Sequence, residues 1–299
     1  MSYKIRNLEL RNRVLLAPML ESNDIAFRLL CKKAGCGLTY TGMVSPLSKQ
    51  KLVLDDKPAV QLFGNSSRGI ASFIKKYDSE VSLWDFNLGC PSKLSKRLGH
   101  GGCLDDLGAI EKILKVMRSS TRKPVTIKLR KSDKAIEIAR LAERVGVDAV
   151  GIHARTVGQG YGGEVDYDFA LAIKRTVKCP VIFSGNVGAT PENRNQKIEN
   201  RGERSVDRIL RDFDFVFVGR ACIGCPEIFS ELVGGRKSVV GFKEYLKLAK
   251  RYGLFFRQIK YQAMNFTKGV NGGREMRREL VGAKSVGDVE RAMGQCINV

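Results

Sequence analysis

Residues 124–153, PVTIKLRKSDKAIEIARLAERVGVDAVGIH, hold the unit on which the fold turns. The apolar run 124–128 (PVTIK) has the length and flanks of a buried strand. Residues 134–145 place Ala135, Ile138, Ala139 and Ala142 on one helical face, and 149–153 (AVGIH) reads as a second strand. A strand, a helix and a strand in so short a stretch imply parallel strands joined by a crossover helix.

The unit recurs in both directions. Strands are expected at 13–17, 38–42, 59–63, 83–87, 124–128, 149–153, 180–184 and 214–218. Helical patterns lie between them at 23–34, 66–77, 106–118, 134–145, 167–177 and 190–211. This order predicts an α/β fold, the (β/α)8 TIM barrel, which needs ~250 residues. An open doubly wound sheet is the other architecture the alternation permits. The barrel is favoured by where the unusual residues fall. Pro18, Gln61, Asn87, Lys128, His153, Gly185 and Gly219 each sit at the C-terminal end of an expected strand, and in a barrel those ends converge on one mouth.

Beyond about residue 230 the texture changes. Residues 241–270 read as one long helix with Tyr245, Leu248, Tyr252, Phe255 and Phe256 on a broad face, and helical patches follow near 274–281 and 286–295. The expected division is a barrel over 1–234 and a small C-terminal helical domain over 235–299. The polar stretch 191–205 is expected to be solvated at the foot or side of the barrel.

The 299 residues carry 52 Lys plus Arg against 31 Asp plus Glu, a net charge of +21. Such an excess captures polyanions, and nucleic acid is the first candidate partner. A charge that serves only solubility is the plainer alternative. Residues 230–299 alone hold 14 basic and 6 acidic residues, so the tail is the more basic part. No stretch approaches ~18 apolar residues, so no membrane span is expected. The N-terminal segment lacks a secretory pattern, and the expected compartment is the cytoplasm, with the eight cysteines as reduced thiols. Cys222 and Cys225 have metal-like spacing but supply only two ligands, and the two histidines, His100 and His153, form no second pair; no metal site is expected.

Several positions carry chemistry. Asn87-Leu-Gly-Cys90-Pro91-Ser92, followed by Gly99-His-Gly-Gly102-Cys103-Leu104, puts a polar strand end and a sharp turn at the mouth. There the Cys90 thiol can act as nucleophile or proton donor, or it is an inert buried thiol. Lys128 is costly at a barrel mouth unless it meets an anion or an electron-rich group; otherwise its stem lies over the rim. His153 can donate to a cofactor carbonyl or can be a core histidine bonded to backbone. Ser184-Gly185-Asn186-Val187-Gly188 and Val218-Gly219-Arg220-Ala221 end the last two strands, where glycines and an arginine suit a phosphate; two ordinary turns are the alternative. Gln61 and Pro18-Met19 suit the polar edge and apolar face of a flat ring.

Taken in order, these pieces resemble the tRNA-dihydrouridine synthase family. Leu-Ala-Pro-Met at 16–19, Phe27-Arg28, Gln61-Leu-Phe-Gly64, Asn87-Leu-Gly-Cys-Pro91 with Gly99-His-Gly-Gly-Cys-Leu104, Pro124-Val-Thr-Ile-Lys-Leu-Arg130, Ile152-His-Ala-Arg-Thr156 with Gln159 and Tyr161, Ser184-Gly-Asn186 and Gly219-Arg220 follow the family's sequence of motifs. Tyr261-Gln262, Gly269 and Met276-Arg-Arg-Glu-Leu280 resemble its helical tRNA-binding domain more loosely.

The resemblance implies an FMN enzyme that reduces C5=C6 of uridines in tRNA, with NADPH or NADH reloading the flavin. Gln61, Lys128 and His153 would hold the flavin ring, Pro18, Met19 and Leu20 would line it, and Ser184, Gly185, Asn186, Gly219 and Arg220 would take its phosphate. Cys90 would protonate C5, while Asn87, Arg130 and Tyr161 would meet the uracil. The physics agrees: hydride at C6 places charge on C5, an acid across the ring must quench it, and the base must leave its stack to enter a barrel. The basic tail would hold tRNA phosphates, and the expected state is a monomer. One departure is Thr41-Gly42-Met43, where the family has Thr-Glu-Met; the roles of His100 and Cys103 stay open. The competing readings are an FMN barrel acting on a free pyrimidine or other small molecule, and an RNA-binding relative without catalysis.

Overall fold

The computed structural model describes residues 3–188, 205–235 and 240–294. Among them are ten strands: β1 Tyr3–Ile5, β2 Leu8–Leu10, β3 Val14–Leu16, β4 Tyr40–Val44, β5 Ala59–Leu62, β6 Leu83–Leu88, β7 Val125–Arg130, β8 Ala149–His153, β9 Val181–Ser184 and β10 Phe215–Val218. β3 to β10 form one parallel sheet in the order β3-β10-β9-β8-β7-β6-β5-β4. A parallel bridge between Leu15 and Leu38, with Leu16 N–H donating to Leu38 O at 3.0 Å, brings the two sheet edges together. The sheet is therefore a nearly closed barrel, as the alternation predicted, and the open sheet is set aside.

Period-two patterning assigns the faces. Val125, Ile127 and Leu129 of β7, and Val150 and Ile152 of β8, join the apolar layer between barrel and helices. Their neighbours Thr126, Lys128, Arg130, Gly151 and His153 are left to the interior. The lower interior is apolar, with Leu15, Tyr40, Leu83, Ile182 and Phe217 in one cluster. The β1–β2 hairpin adds Ile5 and Leu10 to that cluster and caps the N-terminal end of the barrel. The sequence reading missed this hairpin, because three-residue strands are too short to show a period.

The helices are α1 Ile25–Lys33, α2 Ile70–Tyr77, α3 Lys93–Leu98, α4 Leu107–Ser120, α5 Ala135–Val145, α6 Tyr167–Thr176, α7 Ser205–Asp212, α8 Ile228–Leu232, α9 Phe242–Arg251, α10 Phe256–Phe266, α11 Gly273–Gly282 and α12 Val286–Ala292. Side-chain caps set several starts: Asp24 accepts from Phe27 N–H at 2.9 Å, Asp166 from Phe169 N–H at 2.9 Å, and Ser92 from Ser95 N–H at 3.0 Å. Most of the expected helix over 190–211 and nearly all of the polar stretch 191–205 lie outside the described residues.

The single helix expected over 241–270 is instead two, α9 and α10. Gly253, at φ 61°, reverses the chain between them, and Phe255 stands 73% exposed rather than on a shared apolar face. The apolar spacing alone carried no sign of the break. α9 packs on α1, and Phe242, Tyr245 and Phe266 belong to the same apolar layer as Ala26 and Phe27. A polar seam reinforces this. Gln262 Nε2 donates to Ser22 O at 2.7 Å and to Asp24 Oδ2 at 3.0 Å, Tyr245 Oη donates to Asp24 Oδ2 at 3.2 Å, and Tyr261 Oη lies 3.1 Å from Ser22 Oγ. Tyr261 and Gln262, read from sequence as part of an RNA-binding tail, thus tie the tail to the barrel.

Gly224 shows how close the seam is. It adopts φ 73°, and a β-carbon there would stand 2.2 Å from Asn265 O. Gly224→Ala is expected to cost about 2–3 kcal/mol, because left-handed backbone and a backbone clash coincide. Thermal melting checks this, and an unchanged midpoint would mean that the seam yields freely.

Candidate active site

The C-terminal half of the barrel interior is polar, and its groups are bonded to one another. Asp85 of β6 is buried; its Oδ1 accepts from Thr126 Oγ1 at 2.5 Å and its Oδ2 from Gln61 Nε2 at 2.7 Å. Gln61 Oε1 accepts from Asn87 Nδ2 at 2.7 Å. Asn87 Oδ1 accepts from the N–H groups of Gly89 and Cys90 at 3.1 and 2.9 Å. Burial raises the Asp85 carboxyl to about 6, against the opposing hydrogen bonds of Thr126 and Gln61 and the charge of Lys128.

Cys90 is half-buried where the chain leaves β6. The segment after α3 returns against it: Gly102 N–H donates to Cys90 O at 3.0 Å, and a β-carbon on Gly101 would come within 3.0 Å of Cys90 Cβ. Arg130 Nε donates to Gly89 O at 2.9 Å, and its NH1 donates to Thr156 O at 3.0 Å and Gly160 O at 2.6 Å. The loops after β6 and β8 are therefore both pinned by Arg130.

Lys128 has no hydrogen-bond or ion-pair partner among the described residues. Its Nζ stands 5.8 Å from the Phe217 ring. Burial, with repulsion from Arg130, lowers it to about 8, while the Asp85 carboxylate and the Cys90 sulfur oppose that shift. Gly151 makes its space: a β-carbon there would lie 2.9 Å from Phe217 Cε2 and 3.3 Å from Lys128 Cγ.

His153 ends β8 and is buried. Burial and four surrounding cations, Lys128, Arg130, Arg155 and Arg220, push it down to about 2, so the imidazole is neutral. Arg155 NH1 lies 3.1 Å from His153 Nε2. A guanidinium only donates, so Nε2 accepts and the proton resides on Nδ1. Arg155 is itself 1% exposed, and it also donates to Gly162 O at 3.0 Å, to Gly163 O at 2.7 Å and to Asn186 Oδ1 at 3.1 Å. It thus joins the ends of β8 and β9. Tyr161 is exposed at the rim, stacked on His153 at 6.1 Å and flanked by the guanidinium groups of Arg130 at 5.5 Å and Arg220 at 5.1 Å.

Ser184 ends β9, and Gly185 and Asn186 follow with φ of 140° and 50°. Gly219 follows β10 and begins the short turn that carries exposed Arg220, whose NH2 donates to Tyr161 O at 3.2 Å. Among the described residues, nothing accepts from the N–H groups of Arg220 and Ala221. Pro18 and Met19 are half-buried after β3, and Leu20 is 61% exposed. At Gly42 a β-carbon would stand 2.8 Å from Leu20 Cα and 3.1 Å from Met19 O. The glycine and the close approach of Met19 and Leu20 thus belong together: no carboxylate fits at position 42.

The residues read from the sequence as catalytic, cofactor-binding or substrate-binding lie at the C-terminal ends of the barrel strands or on the loops that follow them. Two others join them: Asp85, which was missed, and Arg155, which the sequence reading quoted within the motif 152–156 without giving it a role. Asp85 lies two residues before Asn87 and Arg155 two after His153, so strand alternation was the available signal. His100 is buried with both ring nitrogens unpartnered, its ring 4.8 Å from that of Phe63; burial lowers its pKa. Cys103 lines a cavity of about 210 Å³ with Leu88, Leu129, Arg130 and Val157, on the helix-facing side of the wall.

A family model described as Dihydrouridine synthase (Dus) matches residues 15–293. Three proteins named tRNA-dihydrouridine synthase B are among the relatives. That of Vibrio vulnificus is 32% identical over 247 residues, covering 77% of this chain and 73% of its own. That of Pseudomonas putida is 32% identical, covering 77% and 70%, and that of Klebsiella pneumoniae is 31% identical, covering 77% and 74%. Among solved structures, one of a mandelate oxidase variant overlays with a TM-score of 0.50 at 15% identity, covering 99% of this chain and 79% of that one. A second, with benzaldehyde, gives 0.50 at 16% identity, covering 91% and 80%. At such identity the two structures speak to the barrel fold alone.

Proposed function

The chain belongs to the dihydrouridine synthase family, and from that premise we propose that it reduces the C5=C6 bond of uridines in tRNA, in the cytoplasm, with a flavin, FMN, as its resident cofactor. The observation that carries the reading is the mouth itself: a thiol, an ammonium with no partner among the described residues, a neutral imidazole and a carboxamide meet there, each on a different strand or turn.

The residues fit a flavin. Lys128 offers an ammonium with no partner among the described residues, His153 offers an Nδ1–H whose tautomer Arg155 fixes, and Gln61 offers a carboxamide already oriented by Asp85. Pro18, Met19 and Leu20 would line the ring. Ser184, Gly185, Asn186, Gly219 and Arg220 would hold the phosphate, with the N–H groups of Arg220 and Ala221 and the Arg220 charge meeting its oxygens. When bound, the flavin supplies the hydride that adds to C6, and NADPH or NADH reloads it.

The chain's own residues do the rest. Asn87, Arg130 and Tyr161 orient the uracil; the Arg130 and Arg220 guanidinium groups already stand within cation–π distance of the Tyr161 ring at the rim. Cys90 holds the proton that C5 must receive. The proton passes from sulfur to C5, and the thiolate left behind would face the cationic groups of Lys128 and Arg130. Exposed Lys243, Lys247, Arg257, Arg274 and Arg278 of the tail are available to phosphates of the tRNA.

The direct test is dihydrouridine formation in tRNA from a strain lacking this gene, beside reduction of free uridine. Product in tRNA at far higher efficiency supports the reading. Efficient reduction of the free pyrimidine with none in tRNA would replace it by the small-molecule reading, and no flavin with no activity would leave an RNA-binding protein. A second expectation follows from Lys128. It is cationic below about pH 8 and neutral above, so affinity of the apoprotein for FMN should fall as pH rises through about 8. Lys128→Met should remove that slope, and an unaltered slope in the variant would take Lys128 out of the flavin site.

A further inference from the structure

The bonds that run from Asp85 to the Cys90 turn have a direction that can be deduced without locating a proton. The N–H groups of Gly89 and Cys90 only donate, so the Asn87 atom facing them, at 3.1 and 2.9 Å, is its carbonyl oxygen. The Asn87 amide nitrogen is then the group 2.7 Å from Gln61, and the Gln61 atom it meets has to accept. Gln61 must therefore present its own amide nitrogen to Asp85, 2.7 Å away. The series closes only if position 85 offers an acceptor. Either carboxamide, turned over, would set donor against donor or acceptor against acceptor.

Resting on the reading of Cys90 as the proton donor, we propose that Asp85 is a positioning residue for this reaction: through Gln61 and Asn87 it fixes the backbone turn that carries the thiol. It does not touch the thiol. Its carboxylate lies buried, faced by Tyr40 of β4, Gln61 of β5, and Thr126 and Lys128 of β7. Thr126 occupies Oδ1, at 2.5 Å, and leaves Oδ2 to Gln61. Burial of a carboxyl in a barrel is costly. An apolar residue would fill the space at less cost, but it would free the Gln61 carboxamide to rotate, and Asn87 with it. The direction of the series ties the loss of one acceptor deep in the barrel to the placement of a sulfur at the mouth.

The test compares Asp85→Asn with Asp85→Leu in the full-length protein. Asparagine keeps the acceptor toward Gln61. Its amide can donate to Thr126 Oγ1, whose proton can turn to the buried Tyr40 hydroxyl beside it. Leucine keeps the bulk and removes the acceptor. Two quantities are read: the rate at which iodoacetamide alkylates Cys90, followed on its peptide by mass spectrometry, and kcat and KM for tRNA. Asp85→Leu should change the alkylation rate about fivefold or more and lower kcat about tenfold or more, with KM for tRNA within about threefold, and Asp85→Asn should restore most of both. Equal effects from the two variants would mean that charge or volume matters and direction does not, and would overturn the proposal, as would unaltered alkylation in Asp85→Leu.

The alkylation arm does not depend on what Cys90 does in catalysis. If Cys90 proves dispensable for turnover, a changed alkylation rate still establishes the link from Asp85 to the turn. If the leucine variant fails to fold, the unmodified protein carries the test. The side-chain carboxamide signals of Gln61 and Asn87 in NMR spectra should both shift with protonation of Asp85 near pH 6, and signals flat across that range would overturn the link.

Discussion

Cys90→Ala is expected to bind flavin as the unmodified protein does and to lose dihydrouridine formation by about 10²–10⁴-fold, the range that a positioned general acid supplies. The separation of the two effects follows from the geometry. Cys90 stands on the turn after β6, held through its backbone by Asn87 and Gly102, while Lys128 and His153 stand on β7 and β8. Removing a sulfur from the turn leaves those strands untouched. Flavin absorbance of the purified variant and dihydrouridine content of tRNA incubated with it give the two readings. Near-normal product with Cys90 absent would remove the thiol from the mechanism; loss of flavin would make the turn part of the cofactor's wall. Cys90→Ser is an informative companion, since a hydroxyl preserves the shape but is a far weaker acid.

Arg155→Met is expected to have the second large effect, on cofactor and stability together. Four acceptors, His153 Nε2, Gly162 O, Gly163 O and Asn186 Oδ1, would lose their donor. Of the four, only His153 is a buried residue, while Gly162, Gly163 and Asn186 are exposed and can turn to water, so a loss of roughly 1–3 kcal/mol in stability is expected. His153 would also be free to exchange tautomers and Asn186 to leave the turn after β9. Affinity for FMN should fall about tenfold to a thousandfold, since 1.4 kcal/mol is a factor of ten. Arg155→Lys should recover part of the stability and little of the affinity, because one ammonium cannot span acceptors arranged around a planar fork. The checks are thermal melting, flavin titration and the ¹⁵N shifts of the His153 ring. A methionine variant that binds FMN normally, with Nδ1 still protonated, would show that His153 and Asn186 are held by other means.

The tail presents a different balance. Its basic residues are numerous, but two tail residues that carry the loose resemblance, Tyr261 and Gln262, bond to Ser22 and Asp24 of the barrel. A substitution at either would act first through the seam and only then through RNA. Charge reversal at exposed positions such as Lys243, Lys247 and Arg274 avoids this ambiguity.

Sequence by itself determined the repeating strand and helix, the barrel they close into, and the ring of chemical groups at the strand ends. The reason is that period-two and helical apolar spacing are local properties, and a parallel barrel converts strand ends into one mouth with no further information. It also determined the excess positive charge, which depends on composition alone. Tertiary structure decided the rest. Whether Asp85 and Arg155 are surplus polar residues or the supports of Cys90 and His153 depends on atoms contributed by β5, β7 and β9, far along the chain. The fit of Gly42 against Met19 and Leu20 required two loops to be seen in contact. The break at Gly253 and the cap formed by the first hairpin were likewise invisible, because a short strand has no period and one glycine reads the same in a helix as in a turn. Hydrogen-bond direction and close approach arise only when separate strands meet, and in this protein they fix the polar groups at the barrel mouth.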